Sequence, residues 1–398
     1  MPLVILAVGI ALLLLLMLVF KLNGFISLVL VAVVVGLLQG LPFISGDSDD
    51  VTVMSSIVDD VGGQVDDLIL ILGFGAMLGV LMADMGAANR LATTLIRGFG
   101  VQRAQLAIII VAFLVGVVLF WETAWIILIP IVFAVARQEK LSIMWLAMPL
   151  AIALSSMHSF LPPHPGPTAV AGIYEASIGK TLLFGLIIAL PVGLVVALVW
   201  PRLGFVRNVT ATAPEGLVSE KEFTDETMPG FGVSLGITAL PVLLIAGSAV
   251  FELGLGEDHI ITRVFAAIGD APVALLIGLL AAICYFALVR RVPMDTLMGS
   301  CSSSIKSIAM IIFIIGAGGA FNEVLIASGI GDGIAHLLSA LPVSPVILAW
   351  LIALLLHFAV GSATVAMISA AGIVLPMVTN DPSLSPEVMA IAIGAGAI

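Results

Sequence analysis

Charge is what this sequence has least of. Only 10% of its 398 residues are Asp, Glu, Lys or Arg, against roughly 25% in soluble domains. The 14 basic residues are outnumbered by 25 acidic ones, a balance that argues against nucleic acid as a partner. The acids collect in stretches such as SGDSDD and EGLVSEKEFTDE, so their surplus does not announce a cationic substrate. Cysteine is almost absent too. Cys284 and Cys301 sit in or beside apolar segments without ligand spacing, and buried thiols rather than a metal site are expected. No GxxxxGKS loop occurs, which removes the nucleotide-driven pumps. His158 and His164 stand six apart across prolines, a spacing that suits no metal. Neither a cofactor nor an enzymatic activity is expected.

Apolar residues fill the space that charge leaves, at 61% of the chain. The first run, LVILAVGIALLLLLMLVF at 3–20, is long enough to cross the hydrocarbon core as a helix. It has no basic region before it and a second apolar run at 24–41 directly behind it, so it is not a signal peptide. The runs do not alternate as barrel strands do. The expected class is an all-α polytopic membrane protein.

Lys and Arg collect on the cytoplasmic side of such proteins. With Lys21 inside, the acidic loop from Gly46 to about Asp67 is outside and Arg90, Arg97 and Arg103 are inside. Arg137 and Lys140 must be inside as well, so residues 105–136 enter and leave on one side. About 32 residues is too few for two spans and a turn. A re-entrant hairpin is expected, with Glu122 near its tip. The polar stretch 203–229 is the expected cytoplasmic linker between a first repeat, 1–202, and a second, 230–398. Spans at about 231–250 and 271–289 return the chain to Arg290 and Arg291, and 303–319 runs outward.

The halves share landmarks. Gly73, Gly75, Gly86 and Ala92 recur as Gly316, Gly318, Gly329 and Ala335. GVVLFWETAWIILIP at 116–130 recurs as GSATVAMISAAGIVLP at 361–376. With the charge count, this reads as inverted-topology repeats, each with a re-entrant helical hairpin and a discontinuous helix, the usual plan of secondary transporters. By the same spacing the second copy's break would begin near Ile398, so the second repeat is expected to be incomplete there.

The first copy's break is HSFLPPHPGPTAVAG at 158–172. About 20 Å of helix precedes it from Met144, which places it at mid-membrane rather than in a surface turn. Non-helical backbone at that depth must be buried or line a cavity. The helix that resumes after Pro167 would offer N–H groups from Thr168 onward to a carboxylate. His158 and His164 are candidates for substrate contact or proton transfer. Glu122 is a lone intramembrane carboxylate and a candidate for proton coupling; an arginine from a neighbouring helix would equally hold it. Ser362 and Thr364 beside Gly361 suit a hairpin tip that touches hydroxyls, or simple helix packing. Asn322 and Glu323 read as the wet end of a span. Asp84 is equally ambiguous, and Lys306 snorkels. Ser155, Ser156, Ser362 and Thr364 keep sodium coupling open.

LSSMHSFLPPHPGPTAVAG, LFWETAWIILIPIVF, GAGGAFNEVLIASGIG and GSATVAMISAAGIV together resemble the gluconate permease family, over essentially the whole chain. The resemblance implies a symporter importing gluconate or a related sugar acid with protons by alternating access. The alternatives are a D-serine or other small hydroxy-acid symporter, with sodium as a coupling ion, and a non-transporting structural or sensory membrane subunit. The resemblance also implies a small carboxylate substrate, a homodimer, and a lipid bilayer that is the bacterial cytoplasmic (inner) membrane, crossed in many passes. It places His158, His164, Pro165, Gly166 and Thr168 in a substrate motif, Glu122 in an acidic hairpin, and Gly361, Ser362 and Thr364 in the second-half motif.

Overall fold

The structure is a computed structural model that describes residues 2–44, 51–66, 68–100, 103–138, 141–203, 223–256, 258–327 and 343–398. Every regular element among them is helical. The first are α1 (Pro2–Leu14), α2 (Gly24–Leu38), α3 (Val53–Asp66), α4 (Leu68–Asp84), α5 (Ala87–Phe99) and α6 (Ala104–Gly116). Then come α7 (Trp121–Gln138), α8 (Ile143–Phe160), α9 (Pro165–Ile173) and α10 (Ile178–Val199). Beyond the linker lie α11 (Phe231–Leu255), α12 (Ile260–Ile268), α13 (Ala271–Cys284) and α14 (Met294–Ala327). The last three are α15 (Pro345–Val360), α16 (Ala363–Asn380) and α17 (Pro386–Gly396). Among the described residues six helical stretches are long and apolar enough to cross a membrane, or seven if the bent pair α3–α4 is counted as one. Helix-breaking residues are tolerated in such helices because neighbouring groups re-satisfy the backbone. Pro130, Pro149, Pro191, Pro241 and Pro376 accordingly sit inside α7, α8, α10, α11 and α16.

The helix ends are written in the sequence. Asn23 caps α2 by accepting from the Ile26 N–H at 2.9 Å. Pro345 and Pro386 open α15 and α17, where a missing N–H costs nothing. Two ends are unusual and alike. After α1 the chain widens into a π turn, Leu15–Val19, and Lys21 takes φ 54°. After α13 the same happens at Tyr285–Val289, and Arg291 takes φ 56°. Phe20 and Arg290 donate to Leu15 O and Tyr285 O at 3.2 Å, while Leu22 and Val292 donate to Leu16 O and Phe286 O at 3.0 Å. One terminal device thus recurs 270 residues apart, each time with a basic residue at the positive-φ position.

The residues fall into two compact units, each assembled from both ends of the sequence. The first holds Met1–Leu70, Pro165–Phe184 and Ile308–Ile398; the second holds Ile71–His164 and Gly185–Ser307. In the second unit the end of the linker is pinned down. Arg90 Nη1 pairs with Asp225 at 3.0 Å and Arg90 Nε donates to Pro229 O at 2.8 Å. Arg290 donates to the carbonyls of Glu226 and Thr227. The rest of the linker, 204–222, lies outside the described residues, as do Gly329, Ala335 and Lys140.

Several sequence expectations change. The acidic stretch is not all loop, because α3 occupies Val53–Asp66. Val53, Ile57, Val61 and Val65 recur every fourth residue and give it an apolar stripe. In the first unit that stripe meets bare backbone. A Cβ on Gly36 would lie 2.8 Å from Val53, and one on Gly316 would lie 3.1 Å from Val61. Cys301 is buried as expected, but Cys284 is exposed. The segment 303–319 is the interior of the longer α14, and Asn322 is 7% exposed within that helix, not at a wet end.

Gly185 of α10 shows how close the second unit packs. A Cβ there would stand 2.7 Å from Phe160 O and from Leu161 Cδ2. Gly185→Ala is therefore expected to cost about 1–3 kcal/mol by overpacking, read as a lower thermal midpoint in detergent. Gly236→Ala, whose Cβ meets nothing within 4 Å, is the control expected to leave the midpoint in place.

Candidate functional site

Two helix breaks meet in the second unit. The first separates α6 from α7 at Val117–Phe120, and the second follows α8 at Leu161–His164. The last carbonyls of a helix have no intrahelical donor, and Gly116 O is one of them. The imidazole of His164 supplies it, with Nε2 2.6 Å from Gly116 O. A carbonyl only accepts, so Nε2 carries the proton. His164 is 1% exposed. Its ring centroid lies 6.0 Å from that of Phe120 and 5.2 Å from that of His158 in an edge-on contact.

Bare backbone buttresses both breaks. A Cβ on Gly79 would lie 3.1 Å from Val118 O, and one on Gly116 would press on Leu154 and Met157. Gly185 closes on Phe160, as above. Glu122, in the first turn of α7 after the break, is exposed. Trp121 stacks on Trp125 at 5.4 Å with planes 4° apart. His158 Nδ1 and Trp121 Nε1 are enclosed without a hydrogen-bond partner. Ser156, one of the sodium candidates, is instead back-bonded to Ile152 O at 2.9 Å.

The chain passes into the first unit at the bond from His164 to Pro165. Helix α9 starts at Pro165 itself, three residues earlier than the sequence suggested. Every residue from Leu161 to Ala171 is buried, so this stretch is not a surface turn. The first turn of α9 lies on α16: a Cβ on Gly166 would stand 2.6 Å from Met367 Sδ and 3.7 Å from Thr364 Cα. Thr168 is fully buried. Further along, the Tyr174 hydroxyl donates to Ala371 O at 3.3 Å. The break between α15 and α16 is Gly361–Ser362. Gly361 has φ 72° and its N–H returns to His357 O at 2.8 Å. That φ favours glycine. Ser362 caps α16 by accepting from Val365 N–H at 3.5 Å.

The structure thus joins Glu122, His158 and His164 in one unit, and Gly166 with Thr364 in the other. Sequence reasoning missed three neighbours. Tyr174 and Met367 are the partners of α9 and α16. Gln64 of α3 would meet a Cβ on Gly172 at 3.2 Å, and the four-residue stripe of α3 was the available signal for it. Asp84 accepts from the Ser300 hydroxyl at 2.6 Å. Among the described residues no group of three or more His, Cys, Asp or Glu side chains is placed to hold a metal ion.

Long apolar helices, two of them ending in breaks joined by the His164 hydrogen bond, define an all-α polytopic membrane protein. The comparisons with known proteins give the family. The profile described as GntP family permease matches residues 1–398, and the chain belongs to that family. It is 46% identical to a high-affinity gluconate transporter of Escherichia coli K12, over all of this chain and 89% of that protein. It is 44% identical to the Gnt-II system L-idonate transporter of the same organism, over all of this chain and 88% of that protein. Among solved structures, the Alcanivorax borkumensis YdaH transporter is similar with a TM-score of 0.61, covering 94% of this chain and 85% of its own, at 16% identity. That likeness concerns the fold. The chain is a secondary transporter of the bacterial inner membrane.

The bond from His164 to Gly116 O can be tested alone. His164→Leu leaves that carbonyl unpaired and is expected to cost about 1–3 kcal/mol. The thermal midpoint of the purified protein should fall, and His164→Gln, which keeps an N–H donor, should recover part of the loss.

Proposed function

We propose that the protein imports gluconate or a related sugar acid by proton symport with alternating access. The observation that carries this reading is the buried stretch Leu161–Ala171 in a chain so similar to a gluconate and an L-idonate transporter. Both names denote acyclic hydroxylated carboxylates, so one polar recognition scheme serves either. Gly166, with the first turn of α9, faces the carboxylate, as a helix N-terminus favours an anion. His158, His164, Pro165, Thr168, Gly361, Ser362 and Thr364 complete the substrate-binding set. Glu122, His158 and His164 form the proton-coupling set, Glu122 being an acidic side chain in an apolar helix of a membrane protein, where such a group is a functional candidate.

In this reading α6–α7 and α15–α16 are the two re-entrant hairpins, and α8–α9 is a discontinuous helix. The inverted repeats, split by the linker at 203–229, rest on the recurring landmarks Gly73, Gly75 and Gly316, Gly318 together with the charge count. The working assembly is a homodimer.

Uptake of labelled gluconate into proteoliposomes tests the proposal. An inward proton gradient should accelerate uptake, and unlabelled L-idonate should compete better than D-serine. Equal acceleration by sodium at fixed pH overturns proton coupling, and no gluconate uptake overturns the substrate. Glu122→Gln is expected to abolish acceleration by the gradient while preserving gluconate exchange across the membrane. Loss of exchange as well would assign Glu122 to substrate binding instead.

A further inference from the structure

Some hydroxyl groups buried in helices of this protein bond back to their own helix, while those of Ser27, Ser56 and Thr181 have no partner. Thr238 bonds back to Ser234 O at 2.8 Å and Ser304 to Cys301 O at 2.7 Å. Ser369 of α16 does not. It is 1% exposed and its Oγ has no partner. Asn322 of α14 is 7% exposed, and its Oδ1 also has no partner. An enclosed polar atom left unpaired is costly, and two on facing helices ask for a common cause.

The contacts place them together within the first unit. A Cβ on Gly318 would overlap Ile368, and one on Gly372 would lie 3.6 Å from Asn322 Oδ1. The two pairs advance together by one helical turn, so α14 and α16 run side by side in the same direction. Ser369 and Gly372 are three apart and share a face of α16. Asn322 therefore looks onto the face that carries Ser369. Helix α9 runs along α16 as well, from Gly166 beside Thr364 to Tyr174 at Ala371. From Thr364 to Ser369 the rise is about 7.5 Å, comparable with an extended six-carbon chain.

We propose that Asn322 and Ser369 hold hydroxyl groups of the substrate at the end remote from its carboxylate. This rests on the sugar-acid reading above, and it makes the pair a determinant of specificity for polyhydroxylated chains. Asn322 offers both a donor and an acceptor and Ser369 a rotatable hydroxyl, the combination that neighbouring hydroxyls on one chain require. Sites built to bond a substrate hydroxyl discriminate strongly against analogues lacking it.

Three variants test this by two measurements, gluconate uptake kinetics and the thermal midpoint without ligand. They are Ser369→Ala, Asn322→Leu and Gly372→Ala. The last meets nothing nearer than 3.6 Å, so it folds, yet it fills the space beside Asn322 Oδ1. Each is expected to raise KM for gluconate about threefold to tenfold, as one lost hydrogen bond does, with a smaller change in kcat. The ligand-free midpoint should hold or rise, because the first two remove an unpaired polar atom and the third a flexible glycine. KM unchanged in all three overturns the proposal. So does a raised KM that comes with a lowered midpoint throughout, which marks a structural role. A wild-type protein that takes up no gluconate overturns the sugar-acid reading beneath it and this inference with it.

Discussion

A helix that stops inside a membrane releases backbone groups that hydrocarbon cannot satisfy. Everything distinctive about this protein follows from how its breaks meet that demand. At the end of α6 the carbonyl of Gly116 is paired by a side chain from another break, His164. The glycines nearby are bare because the breaks are packed onto backbone. Gly79 leaves room for Val118 O and Gly185 for Phe160 O, and a methyl group at Gly185 would part those segments. The second unit is therefore held together where its helices are interrupted, and Glu122 is presented one turn beyond such a point.

Some of this could be read from the residues alone. Hydrophobic run length gave the class, because crossing hydrocarbon imposes a length that little else in a protein demands. The charge count located a reversal near Glu122, and a break does lie at Val117–Phe120, immediately before that residue. The break at Gly361–Ser362 also stands where the sequence comparison put it. Packing partners were less visible. The acidic residues of α3 masked its stripe of Val53, Ile57, Val61 and Val65, since polarity pointed to a loop while the spacing pointed to a helix. Asn322 misled for the opposite reason. A polar pair after an apolar run looks like the end of a span, and only the continuation of α14 to Ala327 shows it to be interior. The matched π turns at Lys21 and Arg291 have no sequence signature beyond a basic residue after an apolar run.

The two helix starts near the substrate motifs solve one problem by different chemistry. The first N–H groups of any helix lack acceptors. At α16 a side chain answers, with Ser362 accepting from Val365. At α9 the donors are deleted instead. Pro165 and Pro167 have no N–H, so two of the groups that hydrocarbon would penalise never exist. A run of prolines in such a place is more than a helix breaker; it makes a buried helix start affordable. It also leaves Gly166 between the prolines as an isolated N–H donor in the first turn, on backbone that packs so closely against Met367 that no side chain fits. A single donor held in that way recognises one acceptor atom in one place. In the proposed reading that acceptor is a carboxylate oxygen, and the hydroxylated remainder of the substrate meets Ser369 of α16 and Asn322 of α14, whose Oγ and Oδ1 have no partner in the protein.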